Sequence, residues 1–108
     1  MMVNRQRGEV AATLNGREMR LCLTLGALAE LEEALGADDL GQLVAKFSAG
    51  HMKTDELTAV IAAGLRGAGN DVSMDEVRKM QCEGGVGGMV KLAADLLAAT
   101  FGTGADAA

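Results

Sequence analysis

An α+β fold is predicted, with one N-terminal antiparallel β-hairpin packed on about four or five short α-helices. Three observations predict it. From Gly8 the chain runs through two stretches of alternating polarity, GEVAATL and REMRLCL, joined by Asn15-Gly16. At Thr24 the spacing of apolar residues changes from two to three or four. Beyond that point, glycines and capping residues cut the chain into short helical segments.

The hairpin is specified twice over. Asn-Gly suits a two-residue type I′ turn, which needs positive φ at both central residues. That turn sets Leu14 opposite Arg17, Ala12 opposite Met19 and Val10 opposite Leu21. All but Arg17 are apolar, so this face is expected to point inward. The other face pairs Thr13 with Glu18, Ala11 with Arg20 and Glu9 with Cys22, and is mostly polar. A two-stranded ribbon is marginal in water, so its apolar face must meet helices or another chain.

Thr24 is placed to cap a first helix carrying Leu25, Leu28, Leu31 and Leu35, with Gly36 closing it in the left-handed conformation. Asp38 or Asp39 then caps a short helix through Leu40, Leu43, Val44 and Phe47, ending near Gly50. Thr54, with Asp55 and Glu56 in the favourable first turn, starts a third helix through Leu57, Val60, Ile61 and Leu65. The segment GAGND (67–71) breaks it. Ser73 and Glu76 form a capping box for a helix through Val77 and Met80. EGGVGG (83–88) reads as a turn, and MVKLAADLLAATF (89–101) as the last helix. Residues 8–102 are expected to form a single domain, between a flexible N-terminus (1–7) and a disordered tail (103–108).

Composition narrows the class. Hydrophobic residues make up 49% of the chain, yet Trp and Tyr are absent and there are only 2 Phe. Such a core is thin, and 15 Gly add to the entropy lost on folding. A domain of this kind gains from a partner. The net charge of −5 repels phosphate backbones, which argues against nucleic acid. Charged residues interrupt every apolar run before it reaches membrane-spanning length, so no membrane partner is expected. Cys22 and Cys82 lie far apart with no CxxC neighbour, and reduced thiols in a cytoplasmic protein are the expectation.

Candidate chemistry is sparse. His51 is the only histidine and falls between two helices, with no spacing that ties it to either cysteine. A general base needs an orienting partner and a metal needs converging ligands. EGGVGG lacks the lysine and hydroxyl of a phosphate-binding loop and follows a helix. Residues 54–80 resemble a helix-turn-helix in outline, but Asp75 and Glu76 stand where the DNA would lie. No catalytic residue, cofactor, metal or small-molecule substrate is therefore expected. The last helix is more informative. Met89, Leu92, Ala93, Leu96, Leu97 and Phe101 form a wide apolar stripe, opposite Lys91 and Asp95. The stripe reads as core or as a partner surface.

The order RGEV…L-NG-R…LTLGALAELEEALG…DDLGQLV…F, then LTAVIAAGLRGAG, then EGGVGGMVKLAADLLAATFG, resembles the small tail protein family of gene transfer agents, the phage-like particles of alphaproteobacteria. The likeness runs from Arg7 to Gly102. That family is grouped with phage tail assembly chaperones and is also described as a tail tube protein. The resemblance implies a non-enzymatic chaperone that binds the tape-measure protein or unassembled tail subunits in the cytoplasm. The alternatives are a structural tube component, present in the particle, and a helix-turn-helix DNA-binding regulator. Under the chaperone reading, part of the stripe Leu92, Leu96, Leu97 and Phe101 contacts a tail partner or a second copy in a homo-oligomer.

Overall fold

A computed structural model describes residues 8–36 and 40–101. The expectations for residues 1–7, the Asp38 or Asp39 cap and the tail 103–108 lie outside them. The elements in order are β1 (Glu9–Leu14), β2 (Arg17–Cys22), α1 (Leu25–Leu35), α2 (Leu40–Ser48), α3 (Thr54–Gly67), α4 (Met74–Lys79) and α5 (Gly85–Phe101). This is the α+β arrangement the sequence predicts.

The hairpin has the expected register, from Leu14 opposite Arg17 to Glu9 opposite Cys22. Asn15 and Gly16 take φ of 54° and 75°, as a type I′ turn demands. Val10, Leu14 and Leu21 are buried, with Ala12 and Met19 half-buried beside them. This face packs on α3 and α5. The Thr24 hydroxyl accepts the Ala27 N–H at 3.1 Å, and Gly36 (φ 62°) donates its N–H to the Glu32 carbonyl. Leu25 departs from the expected stripe and is 85% exposed. The buried line of α1 runs through Ala27 and Leu31, and Leu25 stands two positions, about 200°, around the helix from Ala27.

The centre of the molecule is α3. From Thr58 to Leu65 every residue is buried, because α1, β2, α4 and α5 surround the helix. A helix enclosed in this way needs small residues to let its neighbours approach, and Ala59, Ala62, Ala63 and Gly64 supply them. A Cβ on Gly64 would stand 2.5 Å from Leu96 Cδ2 and 3.2 Å from Leu21 Cβ. At Gly67 it would stand 1.9 Å from the Cys22 carbonyl oxygen. Glu56 accepts the Lys53 N–H at 2.7 Å and pairs with Lys46 of α2, which ties the second helix to the third. Of the apolar positions expected in α2, Phe47 is buried and Val44 half-buried, while the side chains of Leu40 and Leu43 lie outside the described set.

The last helix starts earlier than the sequence suggests. Gly85 to Gly88 are its first turn, not part of the turn before it. Gly88 lies against the preceding chain, where a Cβ would meet the Glu83 carbonyl oxygen at 2.1 Å. Only a residue without a Cβ fits that approach, so glycine stands there despite its low helix propensity.

Two outcomes check this architecture. Gly67→Ala should lower the urea midpoint, since overpacking typically costs about 1–3 kcal/mol and a carbonyl oxygen is the obstacle. Gly87→Ala should raise it by up to about 1 kcal/mol, because nothing lies within 4 Å and a helical glycine is replaced by alanine. Hydrogen bonds from Lys46 and the Lys53 backbone lower the Glu56 carboxyl pKa. A depressed carboxylate stabilises the fold above its unfolded pKa and loses that contribution as pH falls through its folded value. Glu56→Gln should therefore lower the melting temperature at neutral pH, and the difference should vanish in acid.

Candidate functional site

The polar candidates do not converge. His51 is exposed in the α2–α3 loop, where its backbone N–H donates to the Lys46 carbonyl at 2.8 Å. Cys22 closes β2, and Cys82 forms an isolated bridge beside Leu14. Burial first, and a neighbouring carboxylate second, push both thiols up: Glu9 acts on Cys22 and Glu83 on Cys82. That is the opposite of what activates a cysteine nucleophile. Among the described residues no three metal-ligating side chains gather. The helix-turn-helix outline is also unlike a reading head. Helix α3 is enclosed by its neighbours, and α4 is a six-residue helix whose N-terminus is occupied by the Ser73–Glu76 box. The Glu76 N–H donates to Ser73 Oγ at 3.1 Å, and the Ser73 N–H to Glu76 Oε1 at 3.0 Å. No described helix is long and apolar enough to cross a membrane.

What the fold offers is apolar surface at the two ends of α5. Its middle belongs to the core: Leu92, Leu96 and Leu97 are 6%, 0% and 1% exposed. Phe101, at the C-terminal end, is 41% exposed. The stripe is thus divided, three of its residues packed against the rest of the domain and the aromatic one presented outward. Lys91 and Asp95 pair at 3.0 Å on the outer side.

At the other end, the first turns of α5 meet α3 and α4 around an apolar groove of about 340 Å³. Leu57, Ile61, Val77, Met80 and Met89 line it, and Val86, 75% exposed, stands at its rim. Two methionines give such a wall an adaptable shape. Arg78 borders the groove and pairs with Asp75 at 2.9 Å and Asp55 at 3.6 Å. Sequence reasoning missed this groove, because it placed Val86 in a turn. The available signal was the apolar spacing Val86, Met89, Val90, Ala93, which continues the α5 pattern backward through the glycines.

Residues 7–103 match the family described as phage tail tube protein, GTA-gp10, and the chain belongs to that family. The likeness read from the residues therefore holds at the level of the gene transfer agent tail family. No curated protein and no solved structure matches the chain.

The raised thiols have a measurable consequence. Alkylation of Cys22 and Cys82 in the folded protein should show a pH midpoint above that of the same cysteines in denaturant. A midpoint shifted downward on folding would mean an activated thiol and would reopen a catalytic reading.

Proposed function

We propose that this member of the phage tail tube protein, GTA-gp10 family is a non-enzymatic assembly protein. It holds the tape-measure protein or unassembled tail subunits in the cytoplasm while a tail is built. The observation that supports this most is the apolar surface at both ends of α5, Val86 beside its groove and Phe101 at the far end. Large side chains left in water on an acidic domain with a small core are suited to covering a client's apolar segment. The net charge of −5 keeps such a chain soluble while that surface is open.

The second reading is a structural tube component, which the family's own description favours. A tube wall is a repeat of one subunit joined on opposite flanks, and a broad sheet is suited to it. The described residues contribute a two-stranded sheet, order β1-β2, in a mostly helical domain. This supports the chaperone over the tube. Particle composition separates the two readings: a chaperone is captured with unassembled tail proteins and is absent from finished particles, whereas a tube subunit is abundant in them.

The partner surface predicts a split between binding and folding. Phe101→Ser and Val86→Ser should weaken capture of co-expressed tape-measure protein while leaving the melting temperature nearly unchanged. Leu96→Ser should unfold the domain, since it places a hydroxyl in a fully buried position. Asp95→Lys should alter neither capture nor melting by much. If capture tracks only the folded fraction across these four variants, the surface is not the binding site.

A further inference from the structure

The two apolar features that α5 leaves outside the core differ in form and in charge. Neither Val86 nor Phe101 is among the side chains that pack on the core. At the C-terminal end Phe101 is a convex aromatic, exposed to solvent. At the N-terminal end, beside Val86, the groove of about 340 Å³ is concave, with Leu57, Met80 and Met89 in its wall. By the helical rise, about 22 Å of α5 separates Val86 from Phe101, so Phe101 cannot reach the groove of its own chain. It suits that of another, because methionine sulfur packs favourably on an aromatic edge and an unbranched side chain adapts to its outline. At the groove, Arg78 lies between the exposed Asp75 and Asp55, at 2.9 and 3.6 Å, so one cation faces two carboxylates. At the other end the balance is reversed. The chain enters the domain at Gly8, buried against the last turns of α5, where a Cβ would stand 3.5 Å from the Ala99 carbonyl oxygen. Arg5 and Arg7 lead directly into Gly8, and Asp106 is the one charged side chain after Phe101.

We propose that the groove is the seat of Phe101 from a second copy of this chain. This rests on the reading of both ends of α5 as partner surface, and adds that copies without a client cover those ends for one another. Charge selects unlike ends. The rim of the groove carries an excess of carboxylate and the Phe101 end an excess of arginine, so groove against Phe101 brings opposite signs together. Groove against groove, or Phe101 against Phe101, would oppose like signs. The contact is therefore heterologous, and each added copy still offers one free groove or one free Phe101 to the next. One ring in a shallow groove is far smaller than a stable interface, so the association is weak and reversible. A client segment that fills the same groove competes with it. Self-association thus keeps the apolar ends out of water until a client arrives, and releases them when it binds.

Light scattering on the full-length protein over a range of concentrations tests the proposal. The wild type should rise above the monomer mass as concentration increases. Phe101→Ser keeps an intact groove. Val86→Lys keeps Phe101 but sets a cation at the groove, against Arg5 and Arg7 of the next copy. Each variant alone should stay at the monomer mass, with a melting temperature near that of the wild type because both positions are exposed. Mixed in equal amounts they should form a species of twice the monomer mass and no larger, since one intact groove and one Phe101 remain. A wild type that is monomeric at every concentration, an association that survives either substitution, or no recovery on mixing would overturn the contact. Capture of co-expressed tape-measure protein is a separate readout. A monomeric wild type whose Phe101→Ser variant still loses capture would leave the assembly role standing and remove the self-contact. The expected masses without any loss of capture in either variant would do the reverse.

Discussion

The fold depends on how closely the backbone of α3 approaches the hairpin. At Gly64 the helix leaves room only for Leu21 and Leu96, and at Gly67 it touches the Cys22 carbonyl. A side chain at either position would push the helix off the sheet and open the core on both sides. The alanines of α3 extend the same condition to its other neighbours, which can approach the helix closely where its side chains are small. A core nearly without aromatics is workable under this constraint. Small side chains contribute little burial each, but they allow many backbone-to-backbone contacts at high packing density.

From that centre outward, α5 becomes the element with two roles. Its middle turns are held by α3 and the hairpin, so Leu92, Leu96 and Leu97 are committed to stability. Its ends overhang the core. Val86 stands over a groove that α3 and α4 only partly fill, and Phe101 stands past the last packed turn. The helix is longer than the core it crosses, and the excess length at each end leaves apolar surface exposed.

The absence of a reacting constellation among the described residues follows from the same architecture. The cysteines sit at strand and bridge positions, half-buried near carboxylates, while His51 is out in a loop. Nothing in the packing draws them together. What the domain provides is shape, apolar patches and backbone hydrogen-bonding groups, the materials of binding and assembly. Membership of a tail protein family suits a molecule built from those materials.

Much of this was legible in local sequence. Asn15-Gly16 determines the turn, and the turn with the alternation of apolar residues determines the register, since a one-residue slip would put every inward side chain in water. Thr24, Gly36 and the Ser73–Glu76 box mark helix ends by hydrogen bonds made within a few residues. Such features need no knowledge of the rest of the chain. Other decisions were made only by the tertiary structure. Gly85–Gly88 joins α5 despite weak propensity, as the first turn of a helix that packs on α3 and the hairpin. Leu25 is exposed although it shares the spacing of its neighbours, because the direction from which α3 arrives selects the face of α1. The apolar stripe of α5 shows the same limit: periodicity names the residues on one face of a helix, but which of them are covered depends on where the neighbouring elements stop.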